Sequence, residues 1–301
     1  MKKTVFLIIL CVTFSFVFAQ TSDTQTLAPL TVPWEIIEVD EYPGVVPYPV
    51  VKQNDVMWSL TIWREIDLRE KRNHGLYFPT ETQGVYKSLG QVIIDAIDMD
   101  NPGNTDALTV YSNEYCTKKY DRTEIGNALK NSKKIMKFDD ETGEPIGEIE
   151  VPDPLKVSQI MYYRLKEVWF FDKNRGELNV RILEIEPFFE YEKDSGGNRG
   201  DDDDMIDDNK TRRRLGWIKY DELRPYLAKQ LYYLPHNSAL QVTFDDVLTW
   251  KRYFSSYIIA EGNYYNNREI QDYITNPRDQ RLRSEEILNQ IRTFESELWE
   301  Y

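Results

Sequence analysis

A long amphipathic stretch near the C-terminus constrains the fold more than any other part of the sequence. It begins at Val242 and ends at Ala260. Thr243 is a suitable N-cap residue, and the two aspartates that follow it would lie where the helix dipole favours negative charge. Apolar residues recur at steps of three and four, and they are Val247, Trp250, Phe254 and Tyr257. The opposite, polar side carries Asp245, Thr249 and Arg252. This spacing predicts one core helix that crosses the domain and stops near Gly262.

Two more segments in the first third of the chain show a helical period. Asp55–Asn73 is predicted to be the first long helix, because three apolar residues follow one another at steps of four. These three are Trp58, Ile62 and Ile66. Val85–Asp98 has a similar pattern and predicts a second helix. Shorter helices are predicted after Asp121 and Asp221, since aspartate is a preferred N-cap residue.

In the middle of the chain the hydrophobic period changes to two, which predicts antiparallel strands. Turn-rich connections separate two pairs of strands, and each pair is expected to form a hairpin. The predicted strands are Ala107–Tyr111, Ile135–Phe138 with Ile146–Val151, Tyr163–Asp172 with Leu178–Phe189, and Leu215–Tyr220. Helices mixed with hairpins, without a βαβ rhythm, indicate the α+β class. We therefore expect several amphipathic helices packed with antiparallel β-hairpins in one domain over residues 55–275.

The N-terminus has the composition of an export signal over residues 1–19. Lys2 and Lys3 precede an apolar run that is too short for a comfortable transmembrane helix, and a small-residue cleavage site ends at Ala19. No second apolar run of that length follows, so no membrane span is expected. Cys116 is the only cysteine outside the signal, which excludes an intrachain disulfide in the mature chain.

Residues 20–54 are predicted to form an extended N-terminal arm, because the five prolines from Pro29 to Pro49 prevent a regular helix. The arm contains more apolar side chains than a free tail would. Its candidate partner-contact residues are Trp34, Ile36, Ile37, Val39 and Tyr42. Contact with its own domain and contact with a neighbouring molecule are both consistent with the sequence.

The last segment, residues 276–301, is predicted to be an amphipathic helix with Asn276 as its cap and Pro277 at its first position. Its apolar residues recur over fewer than two heptads, so a coiled coil is not expected. The apolar stripe consists of Ile287, Ile291, Phe294 and Leu298. Packing on the chain's own domain and docking into a partner both fit the pattern, and these four residues are candidates for a partner interface.

An acidic segment at residues 191–211 is predicted to be a flexible loop, because it has too little apolar surface to offset its ordering entropy. No glycine stands where an EF-hand loop needs one, so no calcium site is expected. The whole chain has a formal net charge of −14. Such a surface repels nucleic acid and anionic lipid, and neither is expected as a partner.

The sequence contains no recognisable catalytic or cofactor motif. Its two histidines, His74 and His236, have no partner at the spacing that zinc sites require. Cys116 has no nearby base in the sequence that would activate a thiol. Three glutamates alternate on a predicted strand, as a glycosidase pair would, but a solvated strand face explains the same pattern. They are Glu184, Glu186 and Glu190. We therefore predict no catalytic residue, no metal, no cofactor and no enzymatic activity.

Four segments, taken in order along the chain, carry a resemblance to a known family. The C-terminal one comprises Phe244–Val247, Lys251–Ile259 and Glu261–Ile270. The other three are Asp55–Ser59 with Ile62–Lys71, Trp169–Lys173 with Val180–Ile182, and Trp217–Tyr220 with Arg224–Ala228. None of them alone is a mechanistic fingerprint, but their order over most of residues 54–275 resembles the GldN/PorN family of the Bacteroidetes.

This resemblance implies a non-enzymatic structural subunit of the gliding-motility and type IX protein secretion machinery. It implies a periplasmic protein, peripheral to the outer membrane, in a ring-like homo- or hetero-oligomer with an outer-membrane lipoprotein of the GldK/PorK type. Periplasmic domains of GldM/PorM-type motor proteins are implied as further partners. An alternative from another class is a secreted carbohydrate-binding or glycan-hydrolysing module, which the tryptophan and tyrosine content would suit.

Overall fold

The computed structural model describes residues 44–98, 107–130, 132–138, 145–152, 155–192, 210–234, 240–262 and 266–299. Within these ranges the helices are α1 (His74–Tyr77), α2 (Leu89–Ile97), α3 (Arg122–Leu129), α4 (Tyr220–Ala228), a π-helix (Asp246–Lys251) and α5 (Pro277–Trp299). Among these described helices, none has both the length and the hydropathy that a membrane crossing requires.

The strands in the same ranges are β1 (Val56–Asp67), β2 (Val110–Tyr111), β3 (Ser132–Phe138), β4 (Pro145–Pro152), β5 (Ile160–Asp172), β6 (Glu177–Glu192), β7 (Lys210–Arg214), β8 (Trp217–Lys219) and β9 (Tyr257–Glu261). Strands β3 and β4 form a separate hairpin. The other seven described strands form one antiparallel sheet in the order β2-β8-β6-β5-β1-β9, with β7 also paired to β6. Helices combined with an antiparallel sheet confirm the predicted α+β class.

The prediction of a long helix at Asp55–Asn73 is wrong, because most of this segment is β1, the strand between β5 and β9. Trp58, Ile62 and Ile66 are four residues apart. Four is also a multiple of the two-residue period of a strand, so all three lie on one face of β1. On the other face Trp63 is buried too. Because both faces are largely covered, the polar alternation that identifies a strand is lost.

The predicted helix from Val242 to Ala260 is also wrong. This segment contains the short π-helix, then Arg252 in the left-handed conformation (φ 47°), and then β9. Asn73 accepts a hydrogen bond from the Ser255 N–H (2.7 Å) and donates one to the Ser255 carbonyl oxygen (2.9 Å), which holds the backbone outside a helix. The β-branched residues that follow then add β9 to the edge of β1.

The remaining predicted elements in the described ranges are confirmed, with shifted ends. Helix α2, the β3–β4 and β5–β6 hairpins, and the shorter strands β2 and β8 all occur where they were expected. Asp121 caps α3 in a capping box with Glu124. At α5, Asn276 Oδ1 accepts a hydrogen bond from the Arg278 N–H (3.1 Å). Helix α4 begins one residue before Asp221, which therefore lies in its first turn and is not its cap.

Several predictions concern residues outside the described ranges. They include the signal at residues 1–19, most of the arm, the region around His236, and the greater part of the acidic loop at residues 191–211. The two ends of that loop segment belong to β6 and β7, which pair with each other from Phe188 to Glu192.

Two hydrophobic clusters hold the helices against the sheet. The larger cluster joins α2, α3, α4 and the π-helix to the middle strands, and its fully buried members include Ile66, Leu89, Leu165, Ile185 and Leu227. The smaller cluster packs α5 against β1 and β9, and its buried members are Ile62, Ile258, Ile270, Ile287 and Ile291. The helices therefore lie over one face of the central strands. The side chains on the opposite face belong to neither of these two clusters.

Strand β9 lies at an edge of the sheet, and α5 satisfies part of its backbone. The Ile258 N–H donates a hydrogen bond to Oγ of the buried Ser284 (2.7 Å). We predict that Ser284→Ala lowers the free energy of unfolding by about 1–3 kcal/mol, because a buried N–H loses its acceptor. Urea denaturation measures this change. The control Ser296→Ala removes an exposed hydroxyl from the same helix and should change the value by less than about 0.5 kcal/mol. An equal effect of both substitutions would refute the structural role of Ser284.

Candidate functional site

The residues predicted to contact a partner fall into two groups. Those in the arm lie outside the described residues, and they are Trp34, Ile36, Ile37, Val39 and Tyr42. In α5, Ile287 and Ile291 are buried in the smaller cluster. Phe294 packs on Trp58, with ring centroids 4.7 Å apart, whereas the side chain of Leu298 lies outside the described residues. The described part of this stripe thus packs on the chain's own sheet, and the interface predictions stay predictions.

The described end of the arm lies on the chain's own domain. The carbonyl oxygens of Val46 and Pro49 accept hydrogen bonds from Arg224 (2.7 Å) and Arg181 (2.5 Å), respectively. Both guanidinium groups also lie over the ring of Tyr48, at 4.2 and 5.0 Å from its centroid. We call these five residues the arm clamp. It attaches this end of the arm in cis.

A buried polar network positions Arg224 of the arm clamp. Its guanidinium donates two hydrogen bonds of 2.9 Å to the Asp245 carboxylate, and both side chains are 4% exposed. Thr249 donates to the same carboxylate (2.8 Å) and lies 2.9 Å from the Tyr220 hydroxyl. Asp245 and Thr249, which the sequence assigned to the polar side of a helix, are therefore buried, and each has a hydrogen-bond partner.

The face of the sheet opposite the helices carries rows of charged side chains that cross neighbouring strands. Paired residues on antiparallel strands point to the same face, so acids and bases alternate across β1, β5, β6 and β8. One row consists of Glu65, Arg164 and Glu186, and the next consists of Lys166, Glu184 and Lys219. The expectation of a solvated strand face is wrong here, because Glu184 and Glu186 are only 9% and 1% exposed.

These two buried glutamates differ in their partners. Glu184 forms an ion pair with Lys166 (3.1 Å), whose ammonium also donates to a backbone carbonyl oxygen (2.7 Å). Among the described residues, Glu186 Oε1 has no hydrogen-bond donor, and Glu184 Oε2 has only the Lys166 ion pair. Burial raises the pKa of Glu186 to about 7, although the charges of Arg164 and Arg214 favour its ionised form. Glu186 is therefore close to half protonated near neutral pH.

Cys116 lies beside Glu184 and is not an activated nucleophile. Burial raises the pKa of its thiol to about 11, and the negative charge of Glu184 adds to this effect. The thiol is therefore protonated at neutral pH, whereas a reactive cysteine needs a depressed pKa. Nowhere in the described ranges do three or more His, Cys, Asp or Glu side chains gather in a way that could hold a metal ion.

Several aromatic side chains in the described part of the chain are exposed or half-buried. Phe78, Tyr233 and Tyr253 are 43%, 45% and 47% exposed. Tyr86 packs edge-on against Tyr233, with ring centroids 5.8 Å apart. The hydroxyl of the buried Tyr232 lies against the backbone of α1, and burial together with Tyr253 raises its pKa to about 12. We call Phe78, Tyr86, Tyr233 and Tyr253 the aromatic surface.

The aromatic surface has the chemistry of a protein-binding surface. Clustered exposed aromatic residues are enriched at interfaces, where a few large rings supply most of the binding energy. Sequence analysis did not single out these residues, because they come from separate segments of the chain and follow no common pattern. The guanidinium of Arg72 lies 5.0 Å from the ring centroid of Tyr253 and places a cation beside that ring.

A comparison with known protein families supports the resemblance that the order of the four segments indicated. Residues 51–300 match the family model described as "Gliding motility associated protein GldN". This range includes every strand and helix of the described domain. No curated protein matches the chain significantly.

Proposed function

We propose that the chain has a structural role in protein secretion. It belongs to the GldN family, whose members are components of the gliding-motility and type IX secretion machinery. In this proposal the chain is a non-enzymatic subunit, exported to the periplasm and held at the outer membrane by its protein partners. The family match over residues 51–300 is the observation that carries the proposal. The alternative of a carbohydrate-binding or hydrolysing module gains no support from that match.

The proposed partner is an outer-membrane lipoprotein of the GldK/PorK type, with which the chain would form a ring-like oligomer. Periplasmic domains of GldM/PorM-type motor proteins are proposed as further contacts. The aromatic surface supports a role in binding proteins, since its exposed rings can enter pockets on a partner.

The aromatic surface can be tested directly by co-purification with the lipoprotein. We predict that the double variant Phe78→Ala, Tyr233→Ala weakens binding to the lipoprotein about 30-fold, which corresponds to the loss of one hot spot of about 2 kcal/mol. Binding is measured by biolayer interferometry with the lipoprotein immobilised. Urea denaturation checks that the variant remains folded.

A matched control is Met57→Ala, which removes an apolar side chain that is 56% exposed and lies outside the aromatic surface. It should leave the affinity unchanged. If the wild-type chain does not bind the lipoprotein, the proposed function is refuted. If the double variant binds as well as Met57→Ala does, the aromatic surface is not the docking site.

A further inference from the structure

Strands β3 and β4 form a hairpin that pairs with no other strand in the described part of the chain. A hairpin of two strands is only marginally stable by itself in water, and its outer backbone groups can accept a further strand. The two strands differ in charge, because β4 contains Glu148 and Glu150, whereas β3 contains three lysines. We call the outer side of β4, with these two glutamates, the acidic edge.

The pairing of β3 with β4 determines which backbone groups of the acidic edge point outward. Ser132 lies opposite Pro152, which has no N–H, so these two residues cannot exchange a pair of hydrogen bonds. Bonded and non-bonded pairs alternate along antiparallel strands, so the next pair, which contains Val151, exchanges the bonds. By the same alternation, the N–H and C=O groups of Glu150 and Glu148 point away from β3.

Strand β7 has the opposite charge and pairs only with β6 among the described strands. Its basic residues are Lys210, Arg212, Arg213 and Arg214. The N–H of Leu215 donates a hydrogen bond to the Pro187 carbonyl oxygen (3.0 Å), which sets the alternation along β7. The N–H and C=O groups of Arg212 and Arg214 therefore point away from β6, and both side chains are exposed. We call the outer side of β7, with these four basic residues, the basic edge.

The charges on β6 and β7 favour an acidic strand at the basic edge. Arg212 lies opposite Glu190 of β6, so base already follows acid from one strand to the next. Arg212 also forms an ion pair with Glu65 (3.2 Å), whereas Arg214 forms none with a described residue. Opposite charges on neighbouring strands stabilise their pairing, and like charges oppose it. An added strand that carries acids would therefore suit β7, and one that carries lysines, as β3 does, would not.

We propose that the acidic edge of one copy pairs antiparallel with the basic edge of a second copy. Glu150 then lies opposite Arg212, and Glu148 lies opposite Arg214. In this register the outward backbone groups of both strands meet and exchange hydrogen bonds, which is the usual chemistry of strand addition.

The partner is a second copy because β4 and β7 belong to separate sheets within one chain. The contact joins two different surfaces, so each copy binds one neighbour through β4 and another through β7. A head-to-tail contact of this kind generates a ring when its rotation closes. The inference rests on the proposed function in this respect, and it names the strands through which neighbouring subunits of the ring-like oligomer would meet.

A charge exchange between the two edges tests the proposal on the isolated full chain. Self-association is measured by sedimentation velocity over a range of protein concentrations. Glu148→Arg alone, or Arg214→Glu alone, should raise the Kd of self-association about tenfold, because like charges then lie opposite each other. The double variant Glu148→Arg, Arg214→Glu restores an opposite pair and should return to within about threefold of the wild type. The matched control Glu177→Arg makes the same charge change at the exposed start of β6 and should behave as the wild type does.

A disulfide cross-link shows which chain supplies each strand. In a Cys116→Ser background, chains with Glu148→Cys are mixed with chains with Arg214→Cys and oxidised. The proposed pair has its Cα atoms about 5.5 Å apart, which a disulfide can span, so we expect a cross-linked heterodimer. Replacing Glu148→Cys by Lys134→Cys, on β3, should give far less of it.

The proposal is overturned if the wild-type chain stays monomeric, or if the double charge variant does not recover self-association. It is also overturned if the cysteine on β3 cross-links as well as the one on β4, or if a chain with both Glu148→Cys and Arg214→Cys cross-links only within itself. These assays contain no lipoprotein, so their failure would leave the proposed binding to the lipoprotein standing.

Discussion

Replacing Asp245 with alanine is expected to lower the free energy of unfolding by about 3–5 kcal/mol. The substitution leaves the Arg224 guanidinium buried without the carboxylate that accepts its two 2.9 Å hydrogen bonds. Thr249 loses its acceptor at the same time. An uncompensated buried charge is among the most destabilising defects that a single substitution introduces. Urea denaturation followed by far-UV circular dichroism measures the loss.

Two further variants separate the buried charge from other effects. Asp246→Ala removes the adjacent carboxylate, which accepts hydrogen bonds from the Thr243 N–H (3.1 Å) and hydroxyl (2.9 Å). It should cost only about 1 kcal/mol, as loss of a helix cap does. The double variant Arg224→Met, Asp245→Leu removes both buried charges and should recover more than half of the loss. Equal effects of Asp245→Ala and Asp246→Ala would show that the buried ion pair does not have this role.

The elements that the sequence predicted correctly are those that local interactions determine. Asp121 and Glu124 form a capping box within one turn, and Asn276 with Pro277 starts α5. The β5–β6 hairpin closes through a short turn in which Gly176 has a φ of 66°, a conformation that favours glycine. Each signal involves residues that are close in sequence, so it can be recognised without knowledge of the fold.

The two wrong helices have a long-range cause. In β1, a step of four residues fits one face of a helix and one face of a strand equally well, and only the pairing with β5 and β9 decides between them. In the segment that ends in β9, the contact between Asn73 and Ser255 joins residues 182 positions apart. Contacts of this kind leave no periodic signal in the sequence.

The charged residues of the candidate site show the same limit of prediction from sequence, namely that long-range contacts are not visible in it. The alternation of Glu184 and Glu186 was visible in the sequence, but their burial depends on neighbouring strands and loops. Asp245 was assigned to the polar side of a helix, while its partner Arg224 comes from another helix, 21 positions away. A charged residue in a sequence is expected to be exposed to solvent. Only its partner in the folded protein shows when that residue is buried instead. The aromatic surface was missed because its residues come from separate segments of the chain.

Replacing Glu186 with glutamine is expected to stabilise the protein at alkaline pH. The pKa of Glu186 is about 7 in the folded chain because the group is buried. In the unfolded chain it has the ordinary value, near 4.5. Between these values the folded protein holds a proton that the unfolded chain has released, so the contribution of this group to stability falls as pH rises. It is fully present below about pH 4.5 and is lost once the pH exceeds about 7.

The difference between the two pKa values corresponds to about 3 kcal/mol. Glu186→Gln should therefore match the wild type at about pH 4 and exceed its free energy of unfolding by up to about 3 kcal/mol at about pH 8, since glutamine cannot ionise. Urea denaturation at a series of pH values measures both curves. Glu177→Gln, at the exposed start of the same strand, is the control and should follow the wild-type curve at every pH. If Glu186→Gln instead lowers stability above about pH 6, the carboxylate is ionised and Arg164 and Arg214 hold it as a favourable ion pair, so their attraction outweighs its burial.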